Sequence, residues 1–177
     1  DEPKEEFTIG ITDDVTHISL EPVDIHVDAD YTSCLFYGLG SDGTVGANKS
    51  TVKIIGNNTD LYSQAYFAYD SKKAGGVTRS HLRFGKSPIH SPYYIDKADF
   101  ISCSLESYAF KFDMVRDLKD GGTFLLNTTM SAEEVENRLP NRMLKGLADH
   151  HAKFYIINAN KLAAETHMGR HTNTILQ

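Results

Sequence analysis

Short apolar runs and longer amphipathic runs take turns along this chain. Phe7 to Ile11 and Ser33 to Tyr37 have the length and the aromatic or β-branched content of strands. Thr44 to Ile55 reads as a helix. Ala65-Tyr66-Phe67-Ala68-Tyr69 is a compact aromatic strand closed by Asp70, and Ala98 to Cys103 is another. Ser107 to Leu118 predicts a helix with its apolar face at Phe112, Val115 and Leu118. Gly121-Gly122 turns into a strand over Thr123 to Asn127. Ser131 caps the next helix, with Glu134 three residues on as its capping-box partner. Lys153 to Ile157 predicts a further strand, and Ala159 to Met168 the last helix. Residues 75–95 fit the alternation poorly, and Gly75 to Gly85 within them stays open between a strand of either direction and an ordered loop. Apolar strands separated by helices indicate an α/β domain with a mostly parallel sheet.

The bulk properties narrow the function classes. A chain of 177 residues suits one domain, 1–177, with a full core. Its formal charge of −6 argues against nucleic acid as a partner. No apolar run reaches membrane-spanning length, and the opening Asp1-Glu2-Pro3-Lys4-Glu5-Glu6 is not a signal peptide. Cys34 and Cys103 both fall in strand-like runs, which predicts buried free thiols and a reducing, cytoplasmic setting. The chain starts without Met and stops in apolar sequence at Thr174-Ile175-Leu176-Gln177. Both ends therefore read as cuts in a longer polypeptide.

Candidate chemistry centres on the turn after the strand Ser33 to Tyr37. Gly38-x-Gly40-x-x-Gly43 matches the dinucleotide fingerprint, and Asp70 stands where such a domain places its ribose ligand. A glycine-rich strand-to-helix turn offers backbone N–H groups and a positive helix end to a phosphate. The same glycines also suit a tight turn without a ligand. Gly43 to Ser50 approximates a phosphate-binding loop, but Asn48 replaces the glycine that lets the backbone wrap the phosphates, which argues against triphosphate hydrolysis. Lys72 and Lys73 follow an expected strand end, where ligands sit in open α/β sheets. Each ammonium suits an oxyanion, and Lys73 equally suits a solvated turn. Arg79, His81 and Arg83 would share one strand face, either as an anion-facing surface or as an exposed or domain-contacting one. Glu165, His167 and His171 are not expected to bind metal, because Gly169 interrupts the helix that would align them. No residue stands out as a catalytic acid, base or nucleophile.

Longer runs carry a more specific signal. Phe36-Tyr37-Gly38-Leu39-Gly40-Ser41-Asp42-Gly43-Thr44-Val45-Gly46-Ala47-Asn48-Lys49 with Lys53-Ile54-Ile55-Gly56 closely resembles pyruvate:ferredoxin (flavodoxin) oxidoreductase. Tyr69-Asp70-Ser71-Lys72-Lys73-x-Gly75-Gly76, Ser80-His81-Leu82-Arg83-Phe84-Gly85 and Asn173-Thr174-Ile175-x-Gln177 agree in order and spacing. Asp13-Asp14-Val15-Thr16-His17 also resembles the family. The part resembled is the gamma-type domain, the third domain of the single-chain enzyme.

The resemblance implies a three-layer α/β/α domain that binds coenzyme A. The implied ligands are Gly40, Ser41, Asp42, Gly43, Thr44, Lys72 and Asn173, and Asn173 rests on the resemblance alone. It implies a parent enzyme, expected to be homodimeric, that uses thiamine diphosphate, Mg and [4Fe-4S] clusters on other domains. That enzyme converts pyruvate and coenzyme A to acetyl-CoA and passes electrons to ferredoxin or flavodoxin. The chain itself has no Cys-x-x-Cys cluster spacing and no thiamine-diphosphate motif, so it should be inactive alone. A nicotinamide-dinucleotide domain and a purely structural inter-domain module remain the alternatives.

Overall fold

The computed structural model describes residues 3–23, 30–70, 75–169 and 171–176. Six strands form one sheet: β1 (Tyr31–Leu39), β2 (Tyr62–Tyr69), β3 (Val77–Gly85), β4 (Ala98–Cys103), β5 (Leu118–Asn127) and β6 (Lys153–Ile157). Their spatial order is β2-β3-β1-β4-β5-β6. β1, β4, β5 and β6 pair in parallel, and β3 is antiparallel to both β1 and β2. Only β3 therefore runs against the rest, and the sheet is mixed but mostly parallel.

Alternation along the strands divides the core into two layers. Leu35, Tyr37, Ile101, Cys103, Phe124 and Leu126 face one side. There they meet α2 (Tyr108–Lys111), α3 (Ala132–Arg138) and α4 (Asn141–Asp149) through Ala109, Val135, Met143 and Leu147. Cys34, Phe36 and Leu82 face the other side and pack against Val52 of α1 (Thr44–Asn58). α1 also meets α6 (Thr172–Ile175), which packs on α5 (Ala159–Glu165). Helices on both faces of the sheet make the expected α/β/α sandwich.

Several expected elements hold closely. β4 and β6 have the bounds read from the sequence. Ser131 accepts from the Glu134 N–H at 3.2 Å and donates its own N–H to Glu134 Oε2 at 2.8 Å, which completes the capping box. The open Gly75 to Gly85 stretch is β3, slotted between β1 and β2.

Three expectations need correction. Phe7 to Ile11 is no strand: its only ladder contact is a bridge from Thr8 to Ser19, and Phe7 and Ile9 stay exposed. The Asp14 carboxylate ties this segment locally, accepting from the backbone of Thr16 and Ser19 instead of a sheet neighbour. Ser107 to Leu118 is not one helix. Phe112 is extended, at φ −116 and ψ 144, so its ring stacks edge-on against Tyr108 at 5.2 Å. A 3₁₀ turn at Val115–Asp117 then leads into β5, and Leu118 is a buried strand residue. The last expected helix stops at Glu165, short of Met168, where His167 takes φ 59 and Gly169 φ 62.

Candidate functional site

The carboxyl ends of β1, β4, β5 and β6 meet at one rim of the sheet, where open α/β folds bind ligands. The turn Gly40 to Thr44 lies there. Gly43 caps α1 with φ 94, a left-handed conformation that favours glycine. Gly38 brings helix and strand together: a Cβ on it would lie 2.5 Å from Thr44 Oγ1.

The turn is organised from within. Asp42 Oδ2 accepts from the Leu39 N–H at 2.9 Å and the Thr44 hydroxyl at 2.8 Å, and Oδ1 accepts from the Thr44 N–H at 2.7 Å. The Gly40 N–H donates to the Gly76 carbonyl at 2.8 Å, and the Asp42 N–H to the Leu39 carbonyl at 3.0 Å. Three of the five amides expected to cradle a phosphate, those of Gly40, Asp42 and Thr44, are thus already engaged. Among the described residues the amides of the exposed Ser41 and Gly43 have no partner. Backbone carbonyls of Gly76 and Leu39 take those of Gly40 and Asp42, and the Asp42 carboxylate, just ahead of α1, takes the Thr44 N–H at the positive helix end.

Asn173, 131 residues away in sequence from Asp42, reaches this turn from α6. Its amide nitrogen donates to the Asp42 carbonyl, and its Oδ1, 3.2 Å from the Thr44 hydroxyl, shares that group's single proton with Asp42 Oδ2. Lys72 lies outside the described residues. The described residues just downstream do approach the turn, because the Gly76 carbonyl accepts from the Gly40 N–H.

Asp42 and Asn173 line a polar cleft of about 260 Å³ with Ser104, Glu106, Asn127 and Thr128 among its other walls. Asn127 ties the rim together: its Nδ2 donates to the Ser104 carbonyl at 3.0 Å, and its Oδ1 accepts from the Ala159 N–H at 3.0 Å. The Thr128 hydroxyl donates to Glu106 Oε2 at 2.5 Å. Near the turn, the Tyr108 hydroxyl is buried without a partner; burial, and then the negative field of Asp42, push it above the usual phenol range. The sequence reading missed Ser104, Asn127 and Thr128. Their signal was positional, since each stands at or just past the end of a parallel strand.

Other sequence candidates lie elsewhere. Lys49 sits over the Phe67 ring at 5.5 Å, away from the turn. Asp70 follows β2, which is an edge strand separated from β1 by β3. Arg79, His81 and Arg83 do share a face, yet only Arg79 is exposed. Among the described residues no three ligating side chains gather as a metal site, and no helix is long and apolar enough to cross a membrane.

The family model described as pyruvate ferredoxin/flavodoxin oxidoreductase matches residues 33–177. The chain belongs to this family. It is 55% identical to the pyruvate:ferredoxin oxidoreductase of Moorella thermoacetica over 99% of its own length and 15% of that protein. Identity is also 55% to the pyruvate-flavodoxin oxidoreductase of Enterobacter agglomerans, again over 99% of this chain and 15% of the relative. The chain thus spans under a sixth of the curated relatives it matches. In fold it is similar to the pyruvate oxidoreductase subunit PORC of Thermotoga maritima, with a TM-score of 0.64 at 18% identity over 84% of this chain and 73% of that one. A 2-oxoglutarate:ferredoxin oxidoreductase from Magnetococcus marinus, solved with 2-oxoglutarate, coenzyme A and succinyl-CoA, has a TM-score of 0.58 at 15% identity. That likeness covers 82% of this chain and 23% of that one.

Proposed function

We propose that this chain is the gamma-type domain of a longer, cytoplasmic pyruvate:ferredoxin or flavodoxin oxidoreductase, and that it binds coenzyme A. The parent, proposed to be homodimeric, would make acetyl-CoA from pyruvate. Its thiamine diphosphate, Mg and [4Fe-4S] clusters would lie on other domains and supply decarboxylation and electron transfer there. This domain assigns no acid, base or nucleophile to the reaction. Its part is to hold the nucleotide end of coenzyme A, so that remote binding energy positions the thiol.

The observation that carries this reading is the convergence of Asn173 on Asp42 and Thr44 at the mouth of the polar cleft. The Ser41 and Gly43 amides are the donors left for a diphosphate oxygen. The inward-turned Asp42 carboxylate, held by three donors, shapes the loop and does not reach for the ligand. The amides of Asn127 and Asn173, each with one N–H beyond the bonds described, suit the amide-rich arm of coenzyme A. We assign Lys72 to the ribose 3′-phosphate.

The nicotinamide alternative fits the topology less well. A dinucleotide fold takes its ribose carboxylate from the parallel strand beside β1. Here Asp70 follows the edge strand, about 10 Å away at two strand spacings.

Calorimetry on the intact enzyme with coenzyme A and dephospho-coenzyme A, repeated on Lys72→Ala, tests the assignment. Coenzyme A should bind more tightly than its dephospho form, and Lys72→Ala should erase the difference. Equal affinities in all four combinations would remove Lys72 from the site. No binding of either ligand would leave the turn as a packing element between domains.

A further inference from the structure

Among the described residues the sheet face over β2 and β3 on the side opposite α1 carries no helix. Tyr62, Gln64 and Tyr66 point to it by strand alternation, as do Arg79, His81 and Arg83. Tyr93 and Tyr94 of the following loop lie over the same face. Tyr94 stacks on His81 at 4.8 Å and meets the Tyr66 ring edge-on at 5.2 Å. Tyr62, Tyr66, Tyr93 and Tyr94 are nevertheless 50%, 53%, 46% and 55% exposed. Between Tyr66 and this loop runs an open groove of about 610 Å³, floored by Gln64 and Ala65.

Two further features mark the face, among the described residues, as unpartnered. Among the described residues β2 pairs only with β3, which leaves its outer edge open, and Tyr62–Tyr69 contains no charged residue. A long, uncharged, aromatic edge is a pairing template that folded proteins ordinarily cover or break with charge. Arg83, only 3% exposed, has neutral partners alone: Gln64 Oε1 at 3.2 Å, the Tyr93 carbonyl at 2.9 Å, and the rings of Tyr31 and Tyr93. Among the described residues neither Arg83 nor the exposed Arg79 has a carboxylate within 4.0 Å. A buried cation without a counter-charge is costly. Here it lies under the groove of a chain that is otherwise net negative.

We infer that this face is a docking surface for a carboxylate-bearing extended segment of the same parent polypeptide, laid along the free edge of β2 and over the groove. Backbone pairing would satisfy the edge, the tyrosines would supply rigid amphipathic contact, and the carboxylate would answer Arg79 and Arg83. The same-chain occupant follows from relatives in which this region is 15% of the length, leaving most of the polypeptide to pack around it. The inference rests on the larger-polypeptide part of the proposed function and not on coenzyme A binding.

Photo-crosslinking in the full-length enzyme tests it, with p-benzoylphenylalanine placed at Tyr66 and, separately, at Tyr94. Both sites are half exposed, so the probe leaves the core intact. The expected product is an intramolecular cross-link to a peptide outside residues 1–177 that contains Asp or Glu. Arg79→Glu should lower its yield several-fold, and an unchanged yield would overturn the charge pairing. Cross-links confined to residues 1–177, or none, would overturn the docking surface. An intermolecular cross-link would replace the same-chain segment with a second copy. Suppression by coenzyme A would reassign the groove to the ligand; loss of coenzyme A binding with the cross-link intact would sink only the earlier proposal.

Discussion

The Asn173 side chain clasps the start of α1: its nitrogen donates to the Asp42 carbonyl, and its oxygen accepts from the Thr44 hydroxyl at 3.2 Å. The α6 segment is thereby fastened to a turn more than a hundred residues earlier. Asn173→Ala should weaken coenzyme A binding about tenfold by calorimetry, the scale of one hydrogen-bonding side chain. The melting temperature should move little, because Asn173 is only half buried.

Gly38 and Gly43 should separate stability from binding. Gly38→Ala forces a Cβ to 2.5 Å from Thr44 Oγ1, so α1 must shift off the sheet, at roughly 1–3 kcal/mol of overpacking. The urea midpoint should fall with its slope unchanged. Gly43→Ala meets a φ of +94 and places a Cβ 2.9 Å from Asn173 Nδ2. It should lose about 1–2 kcal/mol of stability and also weaken coenzyme A binding, because it pushes Asn173 away.

His81 makes stability depend on pH. Burial, with Arg79 and Arg83 nearby, lowers its pKa from 6.5 to about 4. The unfolded chain takes up a proton that the folded chain refuses across that window. Stability from this group is therefore complete above about 6.5 and is lost as pH falls toward about 4, by roughly 3 kcal/mol at most. Urea unfolding across this range should show a smaller pH slope in His81→Gln, whose amide can still accept from the Ile95 N–H.

Neither cysteine should react in the folded chain. Burial pushes the Cys34 and Cys103 thiols up to about 12, and both are free. A thiol reagent at mildly alkaline pH should label neither before denaturation and both after it. Rapid labelling of either in the native state would contradict the packing of β1 against β4.

The sequence revealed the parts of this fold whose signals are local. The capping box at Ser131 and Glu134 and the apolar strands β4 and β6 needed no tertiary information. Phe112 and Leu118 misled because their helical spacing also suits two separate buried contacts on a broken chain. β3 stayed ambiguous since Arg79, His81 and Arg83 look like surface residues, and only the folded sheet buries two of them under Tyr31, Tyr93 and Tyr94. At the site, the glycine turn was visible and its chemistry was not. Three amides are spent on the Gly76 carbonyl, the Leu39 carbonyl and the Asp42 carboxylate, and no run of letters reports that geometry. Asn173 was placed by resemblance, and nothing local in its sequence announces the contacts with Asp42 and Thr44.

The bond from the Gly40 N–H to the Gly76 carbonyl joins the mouth of α1 to the start of β3. The stretch that carries Lys72 runs between β2 and β3, so its downstream anchor is also a wall of the glycine turn. Any displacement of the start of β3 must therefore break this bond or carry the mouth of α1 along with it.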